Sequence, residues 1–164
     1  MKRNNKVITV VLAALFMVLM GFTPLFATNM LPNFTVHDPV EEQVLETAMY
    51  LEQPTLLIFF DSSRSGGLDV GRINEMRDKY LNNNLFVAAI DLNPDPTQVF
   101  RFIAKNRPNF KILTPHKSTL INQGNSPLPL FLMLDAYLHI LKREERGISP
   151  DLILTIEREI GYLR

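Results

Sequence analysis

The alternation of apolar and polar blocks along the chain predicts its elements in order. Val7–Ala27 is a run of 21 residues without a charge, behind a start that carries Lys2, Arg3 and Lys6 and no acid. A basic start, an apolar run and a small residue at its end read as a secretory signal. Gly21 and Pro24 break the helix ahead of a cut after Ala27. The same run is long enough to cross a bilayer, so an uncleaved anchor is the rival reading. Under both, the basic flank stays inside, and residues 28–164 are exported as one domain.

Within those residues, Thr28–Asp38 reads as an extended leader in which Phe34 and Val36 alternate with polar neighbours. Val44, Ala48 and Leu51 fall at helical spacing and predict a short amphipathic helix over Glu41–Gln53, ended by Pro54. Thr55–Phe60 (TLLIFF) is apolar almost throughout, as a strand buried on both faces is. A polar loop, Asp61–Gly67, follows it. Leu68, Ile73, Met76 and Tyr80 then predict a helix to Leu81, stopped by Asn82-Asn83-Asn84. Leu85–Leu92 (LFVAAIDL) reads as a second buried strand and Asn93–Pro96 as a turn. Thr97–Asn106 has Val99, Phe102 and Ile103 on one side of a helix, with Thr97 as its cap. Phe110–Leu113 is a short third run.

Beyond an irregular stretch, His116–Asn125, Pro127-Leu128-Pro129 leads into the strand Leu130–Leu134. Asp135-Ala136 reads as a turn and Tyr137–Leu141 as the next strand, continuing into Lys142–Arg146 until Gly147 breaks it. Ser149 as cap and Pro150 at the first helical position open a last helix, faced by Ile153, Ile156 and Ile160. Alternating strands and helices imply parallel pairing with right-handed crossovers, and the closing hairpin adds antiparallel strands. The expected fold is α/β, a mixed central sheet flanked by helices in three layers.

Charge and composition narrow the chemistry. Lys plus Arg and Asp plus Glu are 17 each in 164 residues, a formal charge of zero. Without Lys2, Arg3 and Lys6, 14 basic groups face 17 acidic ones, a charge of −3. Neither balance leaves a footprint for nucleic acid, and membrane contact is expected only through an uncleaved N-terminal segment. Cysteine is absent, which removes disulfides, thiol nucleophiles, iron–sulfur clusters and thiolate zinc sites together. His37, His116 and His139 are scattered, and no His or carboxylate pair has zinc spacing, so no metal and no cofactor are expected. Ser62, Ser63 and Ser65 lack the Gly-x-Ser-x-Gly frame of a hydrolase, and the phosphate-loop spacing is missing too. Asn33-Phe34-Thr35 matches a glycosylation sequon, a pattern common by chance. Phe59, Phe60, Phe86, Phe100, Phe102, Phe110 and Phe131 read as core rather than as a stacking platform. Lys142–Arg146, mixed in sign, reads as a solvated strand end.

The order of elements, with Pro129 just ahead of the penultimate strand, resembles the thioredoxin-like superfamily. The likeness is to its exported cytochrome-maturation (TlpA/ResA) type, over roughly residues 31–163. Thr55–Phe60 is similar to the strand before the family's active site, Leu85–Pro96 to the second strand and its D-x-N/D-P exit. Leu130–Leu134, Asp135-Ala136, Tyr137–Leu141, Gly147 and Ser149–Leu163 are similar to the family's hairpin, glycine and final helix. The departure lies in the loop. Where the family has Trp-Cys-x-x-Cys, this chain has Asp61-Ser62-Ser63-Arg64-Ser65-Gly66-Gly67, with Arg64 and Gly67 at the cysteine positions. Disulfide exchange needs an attacking thiolate and a resolving thiol, and neither exists. A peroxidatic cysteine is missing as well.

The resemblance implies that this loop sits at a helix N-terminus, where unpaired N–H groups could hold an anion with Arg64 supplying bidentate bonds. The plainer reading is that Asp61 or Ser62 caps the helix and Arg64 is solvated or pairs with a nearby acid. Pro129 stands where the family has its cis-proline, beside a groove that takes an extended peptide by strand addition. Its plainer reading is turn geometry alone. The leading expectation is an exported, redox-inactive, non-catalytic module that binds an envelope protein or extended peptide through Ser62, Ser63, Arg64, Ser65, Gly66, Gly67, Leu128 and Pro129. The alternatives are an enzyme using Arg64 on an anionic small molecule, and a structural subunit of an envelope complex.

Overall fold

A computed structural model describes residues 29–46, 53–64, 67–116 and 127–162. The expected targeting segment, residues 1–27, lies outside them. Seven strands form one sheet: β1 (Thr35–Asp38), β2 (Gln43–Glu46), β3 (Thr55–Phe60), β4 (Phe86–Asp91), β5 (Lys111–Pro115), β6 (Leu130–Leu134) and β7 (Ile140–Glu145). The described helices are α1 (Val70–Tyr80), α2 (Pro96–Asn106) and α3 (Pro150–Glu159). The spatial order is β2-β1-β5-β4-β3-β6-β7.

The centre of the sheet follows from residue type. All of Thr55–Phe60 is buried, and so is all of Leu130–Leu134, because β3 and β6 lie inside the sheet with both faces covered. β3 pairs in parallel with β4 and β4 with β5, as the alternating strand-helix pattern predicts. Both crossovers step in one direction across the sheet. A right-handed turn then places both connecting helices on the same face. Ile73, Met76 and Tyr80 of α1, Val99 of α2, and Leu152 and Ile156 of α3 form one core there with Leu56, Ile58 and Phe60. Leu57, Phe59, Ile90 and Leu132 point to the opposite face, where Leu31, Phe34, Leu45, Leu128 and Leu138 pack on them.

Local chemistry sets the ends of these elements. Asp69 caps α1 by accepting from Arg72 N–H, and Ser149 caps α3 by accepting from Leu152 N–H, with Pro150 following as expected. Asn84, left-handed at φ 58°, closes the short 3₁₀ turn after α1. Lys79 and the Tyr80 hydroxyl both donate to Glu157 Oε1, at 3.0 and 2.6 Å, tying the end of α1 to α3. Asp38, almost fully buried, accepts from Lys111 Nζ at 2.9 Å and binds β1 to β5.

Four expectations need correction. Glu41–Gln53 does not form one helix. Asp38 Oδ1 accepts from Val40 and Glu41 N–H, Glu42 turns with φ 54°, and the chain returns as β2, antiparallel to β1. Val44 is exposed and Leu45 packs inward, so the period there is two rather than 3.6. The remainder of that stretch, 47–52, lies outside the described residues. The cap of α2 is Asp95, not Thr97: its carboxylate accepts from Thr97 N–H, and Pro96 occupies the first turn. The last strand starts at Ile140 rather than Tyr137, because Asp135 Oδ1 captures Tyr137 and His139 N–H and draws the intervening residues into a turn. Finally, Phe100 is about half exposed on the outer side of α2, with Val99 beneath it in the core.

Candidate functional site

The candidate residues are positioned by the sheet. Phe59 lies opposite Leu130 and Phe60 opposite Asp91 in the strand registers. The loop after β3, the residues before β6 and the exit of β4 therefore share one end of the sheet. Of the expected binding residues, Ser62, Ser63, Arg64, Gly67, Leu128 and Pro129 are described there, while Ser65 and Gly66 lie outside the described residues. The Leu128–Pro129 peptide bond is cis.

The loop turns on Asp61. Its Oδ1 accepts from Ser63 N–H at 3.0 Å and from Ser63 Oγ at 2.6 Å; its Oδ2 accepts from Arg64 Nε at 3.0 Å. Arg64 N–H donates to the Asp61 carbonyl at 3.2 Å, which closes a tight turn. Burial pushes the Asp61 carboxyl up, but the Ser63 hydroxyl, the Ser63 N–H and the Arg64 guanidinium outweigh it and hold it below its ordinary value. Neither Asp61 nor Ser62 caps a helix, since α1 begins only at Val70 under Asp69. Arg64 thus stands six residues ahead of the helix and is paired with a nearby acid. Its side chain is still 68% exposed, so the outer guanidinium nitrogens face solvent.

Beneath the loop runs a second network that sequence reasoning read only as a turn. Asp91, fully buried, accepts through Oδ1 from Ser62 N–H and Asn93 N–H, both at 3.0 Å. Asn93 Nδ2 donates to Ser62 Oγ at 3.1 Å, and its Oδ1 accepts from Asp95 N–H at 3.0 Å. Asp95 then caps α2. The signal was present as Asp91, Asn93 and Asp95 at every second position, each a residue that bonds backbone two places on. Asp91 Oδ2 is buried without a hydrogen-bond partner among the described residues.

Leu128 and Pro129 stand just ahead of β6. The Pro129 carbonyl accepts from Arg146 N–H at 2.8 Å, across to the end of β7. Leu128 packs its side chain on the second-face core. Among the described residues, no group of three or more His, Asp or Glu side chains comes together as a metal site requires. His139 is spent locally, its Nδ1 lying 2.8 Å from Asp135 Oδ2.

Comparison with solved structures identifies this arrangement. A protein from Chlorobium tepidum assigned as the thiol:disulfide interchange protein DsbE superposes with TM-score 0.68 at 19% identity, covering 80% of this chain and 96% of that one. The fold is thioredoxin-like. The thioredoxin domain of a thiol-disulfide oxidoreductase from Bacteroides vulgatus gives TM-score 0.68 at 14% identity, covering 80% and 95% of the two chains. A thiol-disulfide oxidoreductase from Bacteroides fragilis gives 0.66 at 17% identity, covering 80% and 98%. No protein-family model matches the sequence, and no curated protein matches it. This chain carries the thioredoxin-like fold without a single cysteine, so cysteine-based redox chemistry has no residue to run on.

Proposed function

We propose that the chain is an exported, redox-inactive protein of thioredoxin-like fold that holds an extended polypeptide at the end of the sheet where β3 stops and β6 begins. The observation that carries this reading is a fixed, solvent-facing loop beside Leu128-Pro129 in a chain without cysteine. The loop is held in place by Asp61 and Asp91, Arg64 is presented to solvent, and Leu128-Pro129 flanks it. Leu128 sits just before β6 with its backbone outside the ladder, which is where an added extended segment finds hydrogen-bonding groups. Export is supported by the basic start and the uncharged run Val7–Ala27.

The anion-binding enzyme is the weaker reading. It needs a helix N-terminus at Arg64, whereas α1 starts at Val70 with its first turn already capped by Asp69.

Site-specific photo-crosslinking in the full chain tests the proposal. A crosslinker replacing Ser63 or Leu128 is expected to capture a polypeptide partner, and one replacing Glu159 on α3 is expected not to. Adding Arg64→Ala and Pro129→Ala should abolish the capture while the circular dichroism spectrum stays unchanged. Equal capture from Glu159 would move the interface elsewhere and favour a structural subunit. Fractionation with N-terminal sequencing tests export, and cytoplasmic retention of an uncut chain overturns that part.

A further inference from the structure

A cleft of about 640 Å³ opens beside this site and plays no part in the reading above. It lies where the hairpin β1–β2 meets the C-terminal ends of β4 and β5. Its volume falls within the range of small-molecule sites, roughly 300–1,000 Å³. Much of the wall is apolar: Leu92 and Val99, with Pro94, Pro96 and Pro115. Three prolines in that wall mean three positions without an N–H donor. Val44, more than half exposed on β2, forms the outer edge.

Most polar groups on the wall are already committed. Asn93 gives its amide to Ser62 and takes the N–H of Asp95. The Thr114 hydroxyl donates to the His37 carbonyl at 3.3 Å. His116 is anchored by its N–H, which donates to the Thr35 carbonyl. The His37 imidazole, on β1 beside Thr114, has no hydrogen bond to another described residue. Among the described residues that line the cleft, none is Asp, Glu, Lys or Arg. Among the described lining residues a cationic ligand would meet no carboxylate, and a multiply charged anion no fixed cation. An imidazole can donate to or accept from one oxygen.

We propose that this cleft is a binding site for a small, largely apolar molecule that carries one hydrogen-bonding oxygen, with His37 meeting that oxygen and the proline-rich wall enclosing the apolar body. Asn93, shared between the cleft wall and the Ser62 contact, makes the cleft a neighbour of the polypeptide surface, yet its occupation does not depend on that surface being used.

The test is a titration of the full chain with 1-naphthol and with naphthalene, the same ring without the oxygen, followed by amide NMR shifts. Saturable shifts are expected at residues 37, 92, 93, 95, 97–99, 114 and 116 with both probes. His37→Phe should weaken naphthol at least tenfold and leave naphthalene within twofold. Val44→Glu, at an exposed edge position where folding is not at stake, should weaken both by placing a carboxylate against the wall. Shifts centred elsewhere, or none that saturate, would overturn the proposal. So would equal weakening of the two probes by His37→Phe, since His37 would then shape the cleft without reading the oxygen.

Discussion

Strand β3 and the loop that follows it are adjacent in sequence and opposite in construction. Thr55–Phe60 is buried at all six positions and is fixed by packing and by ladders to β4 and β6 on either side. Asp61–Arg64 buries little and is fixed by side-chain carboxylates, Asp61 within the loop and Asp91 beneath it. Packing is spread over many contacts. A loop hung on two carboxylates is narrower, and its geometry is set by a few hydrogen bonds that cannot be traded for hydrophobicity. The means of holding this loop are polar.

The contrast can be broken most severely from the packed side. Phe60→Ala should cost about 3–5 kcal/mol, read as a lower midpoint in urea unfolding, because its ring is enclosed and lies tilted against that of Phe102, 4.9 Å between centroids. Next comes Asp91→Ala, which leaves the Ser62 and Asn93 N–H groups without their acceptor. A loss of about 1–3 kcal/mol is expected. Asp91→Asn, which keeps one oxygen for those donors, should lose less. If the two variants match, the Oδ1 bonds are not what holds the loop.

A smaller effect depends on pH. The Asp61 carboxyl is lowered in the folded state, so its contribution is complete above the unfolded value near 4 and is lost as pH falls through the lowered one. The wild-type chain should therefore lose stability in that acid window, and Asp61→Asn should flatten the dependence. Amide exchange at Ser63 and Arg64 should quicken in that variant at neutral pH. The smallest effect is expected from Phe100→Ala, within about 0.5 kcal/mol, because the ring is half exposed. Set beside Phe60→Ala, it measures how little residue type says without position.

The same residues show what the sequence could reveal. TLLIFF, LFLML and the Ser149-Pro150 start announced themselves because burial on both faces and helix entry each leave a dense local signature. Phe100 looked like core because a helix face cannot be assigned from one aromatic between Val99 and Phe102. β2 was hidden because Val44, Ala48 and Leu51 match a helical period, while the decisive event lies upstream in the Asp38 carboxylate. At the candidate site, the loop and Pro129 were legible by order alone. The link between Asp91 and Ser62 was not, since it spans 29 residues and depends on the parallel register of β3 and β4. The cleft at His37 and Thr114 draws on four separate segments, and no window of sequence contains it.

The packing of Leu31 and Leu138 on the second face bears on how the protein comes into being. Met30 bridges to His139, Leu31 N–H donates to the Leu138 carbonyl, and Ile140 N–H donates back to Asn29. The first described residues are thus fastened to a hairpin that is made 111 positions later in the chain. At roughly 5–20 residues per second, residues 29–31 wait roughly 6–22 s for their partner during synthesis. For that interval the apolar Leu31 has no hairpin to lie against. Residues 29–31 cannot be put in place before the β6–β7 hairpin has been made, which favours a nascent protein that stays open over one that folds as it emerges.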